Sequence, residues 1–404
     1  MPTFGSTGSI LDCDDAFKDD WTPDDLPERK DELTEIHHTL EPASRGFTPN
    51  NMFVYGPAGQ GKTVATQLKL QELSQFLENS EEQLSTYYVN CADLSSSYQV
   101  AGEVLKEISP DFDSRPRGHG LSNIFDWMFD RIEKIGGTVV IVLDEIDVIG
   151  NDDKVLYKLS RAKSNGEIEN TRLSIVGISN NFDFYSDLTA RVKDQLCEEE
   201  IRFAPYNANQ LQNILERRAE SGLQDGVLEG GVIQLCAAHA AKKDGSARQA
   251  INLLYKAAKI AHNGQDDTVT TDHVDQAQKK LNRDMLLEGL KDLTVQEYTT
   301  VLAVASLEAR GDTPARTKTV YSEYKSICQT TGIDISTMRS IRDHLQALKL
   351  YRFLEGEKKT GGANGGERWL FELGVDLENM LAIEADDRFG EILDTIEMRK
   401  KANA

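Results

Sequence analysis

Met52-Phe53-Val54-Tyr55-Gly56-Pro57-Ala58-Gly59-Gln60-Gly61-Lys62-Thr63 is the stretch on which the fold turns. Four apolar, strand-forming residues run into the pattern G-x-x-x-x-G-K-[ST], and helical sequence from Val64 to Leu77 follows. Strand, glycine loop and helix in that order make a phosphate loop. The glycines let backbone N–H groups turn inward around phosphate oxygens, at the positive end of the new helix. In this reading Gly56, Ala58, Gly59, Gln60 and Gly61 form the cradle. Lys62 reaches the β- and γ-phosphates and the Thr63 hydroxyl ligates Mg2+, so the expected cofactor is ATP or ADP with Mg2+.

The partner of that loop is Val139-Val140-Ile141-Val142-Leu143-Asp144-Glu145. An apolar strand ending in two carboxylates puts Asp144 near the Mg2+ and lets Glu145 polarise an attacking water. Strands are expected at Met52–Tyr55, Thr86–Asn90, Thr138–Leu143, Leu173–Ile178 and Glu200–Phe203, alternating with amphipathic helices. The third has no polar alternation and should be buried on both faces of a parallel α/β sheet. Asn207 to about Leu287 reads as helical throughout, with Leu211, Ile214, Leu215 and Ile251, Leu254, Ala258 at helical spacing. A third unit begins near Leu290, with helices first. Strands at Tyr351–Phe353 and Trp369–Leu373 then flank the Gly-rich stretch Thr360–Gly366 as a β-hairpin.

The 404 residues, 39% hydrophobic and 28% charged, describe a globular chain without an apolar run that could span a bilayer, so no membrane role is expected. No secretory signal opens it, and a cytoplasmic location is expected. Five dispersed cysteines (Cys13, Cys91, Cys197, Cys236, Cys328) argue against a disulfide framework or a zinc site. The net charge of −22 argues against non-specific nucleic-acid affinity of the whole chain.

Asp144-Glu145-Ile146-Asp147, Val155-Leu156-Tyr157-Lys158-Leu159-Ser160-Arg161-Ala162 and Ile175-Val176-Gly177-Ile178-Ser179-Asn180 resemble the archaeal replication initiators. These are AAA+ proteins related to the eukaryotic origin-recognition subunit and the cell-division-control helicase loader. The similarity continues through Leu26-Pro27-Glu28-Arg29, Arg191-Val192-Lys193, Pro205-Tyr206 and Gly245-Ser246-Ala247-Arg248 into the C-terminal third. Residues 1–20, Gly/Ser-rich and then acidic, read from composition as a mobile tail, and beyond them the resemblance implies an AAA+ α/β nucleotide-binding domain over 21–205, a helical lid over 206–288 and a winged helix over 289–404. It further implies that Asn180 is the polar sensor orienting the water and Arg248 the second sensor reaching the γ-phosphate from the lid. Tyr206 and Arg218 would contact the nucleotide, and Arg191 would act as a finger on a neighbour's nucleotide if subunits self-associate on DNA. The chain departs from the family pattern at Asn181, where Asp is usual, at Ser246, again for Asp, and at Asp194-Gln195, for two Ser.

Charge is unevenly spread. From Pro314 to Trp369 ten Lys/Arg face six Asp/Glu, whereas residues 1–40 carry three basic and eleven acidic side chains. Ser336 to Leu350 reads as a helix with Ser336 as N-cap and Met338, Ile341, Leu345, Leu348 as its buried stripe. Arg339, Arg342, Gln346 and Lys349 form a second stripe suited to base edges and phosphates in a major groove. Lys358-Lys359 and Arg368 would rest a wing on the DNA backbone. The family resemblance adds a second contact at the Asp152–Asn170 insertion, with Lys158, Arg161 and Lys163 as its cations. The acidity elsewhere reads as salt adaptation, since in molar salt counterion release contributes little.

The expectation is an ATP-dependent initiator at the nucleoid that binds double-stranded origin DNA and promotes loading of the replicative helicase. ATP would act as a switch, with slow hydrolysis. Two alternatives use the same domains: a DNA-binding regulatory ATPase, and a remodelling or clamp-loading ATPase acting on protein partners.

Overall fold

The structure is a computed structural model that describes residues 10–18, 21–23, 25–110, 118–196, 198–360, 367–375, 377, 380 and 387–403. The chain divides into two compact units, Met1–Gln276 and Ala277–Ala404.

The first unit is built on a five-stranded parallel sheet in the order β2-β3-β4-β1-β5, with β1 Met52–Tyr55, β2 Leu84–Asn90, β3 Thr138–Asp144, β4 Arg172–Ser179 and β5 Glu199–Arg202. The uninterrupted apolar run of β3 has the expected cause. Val139, Ile141 and Leu143 enter one core with Phe53 and Ile175. Val140 and Val142 enter the other with Met52, Val54, Val176 and Ile178. A strand with side chains alternating between two cores has no solvent face to supply polar residues. Helix α1 Lys30–Leu40 precedes β1, and α2 Lys62–Leu77, α3 Ser97–Ile108, α4 Leu121–Ile135, α5 Lys154–Ser160, α6 Phe182–Asp187 and α7 Ala190–Leu196 connect the strands.

After β5 the chain is all helix: α8 Ala208–Gly222, α9 Val232–Lys243, α10 Ala247–Gly264 and α11 Thr271–Lys291. Asn207 opens α8 with a capping box in which Gln210 is the second member. Ser246 caps α10, its hydroxyl accepting from the Gln249 N–H. Asn181 likewise caps α6 by accepting from the Asp183 N–H. Two departures from the family pattern therefore preserve the cap that an Asp would supply and drop only its charge.

The acidic tail expected over 1–20 differs from Ile10 to Lys18. Ile10 is wholly buried, the Asp12 N–H donates to Gly222 O, and Phe17 stacks on Tyr255 at 5.1 Å. Apolar Ile10, Ala16 and Phe17, set among the acids, have a helical surface to cover. Asp19 and Asp20 lie outside the described residues.

The second unit packs α12 Val295–Glu308, α13 Thr317–Thr331 and α14 Met338–Leu350 against a sheet in the order β6-β8-β7, a winged-helix topology. The strands are β6 Ala315–Arg316, β7 Leu354–Thr360 and β8 Glu367–Leu373. Tyr351–Phe353, expected as strand, instead forms the turn into β7, with Arg352 at φ 62. Thr337 rather than Ser336 caps α14, accepting from the Ser340 N–H. Residues 361–366 of the Gly-rich stretch lie outside the described residues. Cys13, Cys91, Cys236 and Cys328 are free thiols, and no described helix is long and apolar enough to cross a membrane.

Candidate functional site

A cleft of about 750 Å3, a size usual for small-molecule sites, opens between the carboxyl ends of β1 and β3 and the helices α8 and α10. Ala58 to Thr63, Asp144, Glu145, Asn180, Tyr206, Arg218 and Arg248 all line it, as does the N-terminal segment through Phe17, Trp21 and Pro23. Gly56 lies at the end of β1, its N–H donating to Ser179 O.

Gly56, Gly59 and Gly61 all take positive φ. At Gly59 (φ 76) an added Cβ would lie 2.1 Å from Ser246 Oγ, so the loop approaches the lid too closely for a side chain. Lys62 is buried, and its ammonium donates to Gly56 O, Pro57 O and Asn180 Oδ1, each at 2.8 Å. Burial lowers its pKa to about 8 against the opposing pull of Asp144 and Asp147, with Arg248 lowering it further. Thr63 Oγ1 donates to Asp144 Oδ2 at 2.7 Å. Asn180 Nδ2 donates to Glu145 Oε1 at 3.2 Å and its N–H to Asp147 Oδ1 at 3.1 Å. Glu145 sits in the left-handed region at φ 55, ψ 37, an unfavourable backbone for a glutamate at the point where β3 breaks into a 3-10 turn.

One hydroxyl and one carboxylate, both hard oxygen donors, suit Mg2+, which binds through one or two carboxylates together with substrate phosphates. Thr63 Oγ1 and Asp144 Oδ2, 2.7 Å apart, are such a pair, and the residues present fit an ion that arrives on the phosphates.

Three expected nucleotide contacts have additional or different partners. The Gln60 side chain is fully buried and engaged by protein groups. Arg218 lies over the Trp21 ring at 3.8 Å and donates to Ala16 O, tying the N-terminal segment to α8. Tyr206 is 4% exposed under the Arg29 guanidinium, which lies 3.8 Å from the ring centroid, and burial raises its pKa. Arg29 was quoted above only within a motif. It is buried, donating to Gln60 O, Gln60 Oε1, Ala204 O and Glu32. The signal that could have found it is an Arg beside Pro27 at the entry to a helix, but its partners lie far along the chain. Arg191 is exposed on α7, in keeping with a surface role.

In the second unit Ile341, Leu345 and Leu348 are buried while Arg339, Arg342 and Gln346 are exposed together on one face of α14. Lys349 shares their period but not their exposure. It is half-buried with its ammonium 4.3 Å from the Trp369 ring. Lys358 and Lys359 are exposed on β7, Lys359 paired with Glu357 at 3.3 Å, and Lys359 stands opposite Arg368 in the hairpin register. In the insertion, Lys158 is paired with Glu167, Arg161 is half-buried near the Tyr157 ring, and Lys154 and Lys163 are exposed.

Models of three families match consecutive parts of the chain: an AAA domain over residues 45–181, a Cdc6 AAA+ ATPase-type lid domain over 212–279 and a CDC6 C-terminal winged helix domain over 288–382. ORC1-type DNA replication protein 10 of Halobacterium salinarum is 40% identical over 96% of this chain and 94% of its own length. ORC1-type DNA replication protein 15 of Haloarcula marismortui is 38% identical over 95% and 94%. Among solved structures, the Aeropyrum pernix ORC1 protein in complex with DNA superposes with a TM-score of 0.78 at 30% identity, covering 98% of both chains. The chain belongs to the ORC1/Cdc6 family of AAA+ DNA replication proteins.

Proposed function

We propose that this protein is an ATP-controlled initiator of DNA replication that binds origin duplex DNA and promotes loading of the replicative helicase. The observation that carries the reading is one cleft that gathers Lys62, Thr63, Asp144, Glu145, Asn180 and Arg248, in a chain that also presents Arg339, Arg342 and Gln346 on one exposed helix face. In the cleft, Lys62 and the loop N–H groups bind phosphate oxygens, while Thr63 and Asp144 hold Mg2+. The ion, when bound, neutralises charge on the phosphates. Glu145 accepts the proton of an attacking water that Asn180 orients, and Arg248 on α10 reads the terminal phosphate from the lid. Tyr206 and Arg218 wall the cleft on the α8 side. Arg191 serves a neighbouring copy when copies assemble on DNA.

On the DNA side, Arg339, Arg342 and Gln346 read bases, Lys349, Lys358 and Lys359 meet phosphates, and the insertion adds Arg161. The protein acts in the cytoplasm at the nucleoid. Its charge of −22, together with relatives from Halobacterium and Haloarcula, accords with a salt-adapted surface on which specificity comes from base contacts and DNA shape.

Crosslinking and sequencing the protein's chromosomal sites, beside a Lys62→Ala strain, tests this reading. Sharp peaks at maxima of replication marker frequency support it. Peaks at promoters refute it in favour of a regulatory ATPase, and an absence of peaks turns the search to protein partners.

A further inference from the structure

The Gln60 side chain bridges three segments that are distant in sequence. Its Oε1 accepts from Arg29 Nη2 and from the Tyr206 N–H, both at 3.2 Å. Its Nε2 donates to Asp244 O at 3.4 Å and to Ala58 O at 3.5 Å. Tyr206 lies in the connection from β5 to α8, and Asp244 opens the turn into α10, from whose first residues Arg248 projects. Two backbone bonds reinforce the same junction, Ala247 N–H to Gly59 O at 3.0 Å and Tyr206 N–H to Gly245 O at 3.1 Å. The junction is buried, Gln60 fully and Arg29 and Tyr206 nearly so. Polar contacts in such a setting hold their geometry because breaking one leaves a buried group without its partner. A single hydroxyl at position 60 could not face both the hinge and the lid turn, whereas an amide has a separate acceptor and donor for each.

We propose that Gln60 is the positioning residue through which the phosphate loop sets the lid turn Asp244–Ala247, and with it Arg248. When the loop closes on a nucleotide's phosphates, the lid turn moves with it. This rests on the nucleotide-switch reading given above and adds the route by which occupancy of the loop reaches the lid.

Amide hydrogen exchange on the full chain tests it, with and without ADP and Mg2+, for wild type, Gln60→Ala and Gln60→Glu. Gln60→Glu keeps an acceptor for Arg29 and Tyr206 but has no donor for Asp244 O. Binding of a fluorescent ADP is titrated for each protein so that exchange is compared at saturation. In wild type the nucleotide should slow exchange at Tyr206 and Ala247 by about ten-fold or more, and in both variants by less than about two-fold. Equal slowing in wild type and both variants overturns the proposal and leaves the switch reading standing. Loss of ADP binding in both variants also overturns it, since the side chain would then be serving the phosphates themselves. A wild type that binds ADP without any lid response defeats the switch reading and this proposal together.

Discussion

Arg29→Ala removes a cation that is 3% exposed and donates to three acceptors on two other segments: Gln60 O, Gln60 Oε1 and Ala204 O. Each bond from a charged donor is worth roughly 1.5–3 kcal/mol when its loss strands a buried partner. Water can enter the volume vacated by so long a side chain, so the lower figure applies, and three such bonds give about 4.5 kcal/mol. The guanidinium over Tyr206 adds about 1 kcal/mol. For a unit of this size, about 2 °C per kcal/mol turns the total into a fall of roughly 11 °C in the first unit's thermal midpoint. Arg29→Lys keeps the charge but loses the planar fork, and should fall about half as far. Because the group is buried, the loss should persist from low to molar salt. The assay is thermal unfolding at two salt concentrations, with Gln60→Ala as the partner in a double-mutant cycle, where a coupling of about 1 kcal/mol or more is expected. A loss below about 1 kcal/mol, or Arg29→Lys indistinguishable from wild type, refutes the reasoning.

Three further outcomes follow from the same geometry. Glu145→Gln should keep nucleotide binding and lower turnover by about a hundred-fold or more, read by phosphate release under single-turnover conditions. Arg339→Ala with Arg342→Ala should weaken origin DNA binding by about ten-fold or more and relax its preference over unrelated duplex, read by fluorescence anisotropy with both duplexes. Glu133 accepts from the Asn170 N–H first, then from the Asn170 side chain and the Thr171 and Glu169 N–H groups, and these bonds lower its pKa to about 2. The folded-state pKa lies below the ordinary 4.5, so the stabilisation is full above about 4.5 and is lost as pH falls toward about 2. The gap in thermal midpoint between wild type and Glu133→Gln should therefore hold steady near neutral pH and narrow in that acid window.

The phosphate loop, the carboxylates ending β3 and the buried stripe of α14 were legible because each is written in residues adjacent in sequence or repeating at one period. The Arg29–Gln60–Tyr206 junction was not, since Arg29 lies 31 residues from Gln60 and 175 from Ala204, and no local pattern announces such a partner. The N-terminal brace hid for a related reason: Ile10 and Phe17 stand among acids, and composition outweighed two apolar residues whose surface is supplied by α8 and α10. Lys349 follows the period of the exposed stripe, yet Trp369 on β8 gives its stem and ammonium a ring to cover. β7 begins at Leu354 because Arg352 adopts φ 62, a turn that hydrophobic periodicity does not encode.

The strand order also fixes a timetable. β1 lies between β4 and β5, so the strand leading into the phosphate loop, among the first to leave the ribosome, has no neighbour until β4 is made and lacks its second until Arg202 has been made. The brace waits longer, because Leu11 pairs with Leu223 and Phe17 rests on Tyr255. Translation at roughly 5–20 residues per second thus holds the nascent cleft open for about ten seconds or more. A chain stopped between Thr63 and the lid carries the whole Gly56–Thr63 motif and lacks the lid wall of the pocket. Termination between Thr63 and the lid should therefore leave a fragment that binds nucleotide more weakly than the intact protein.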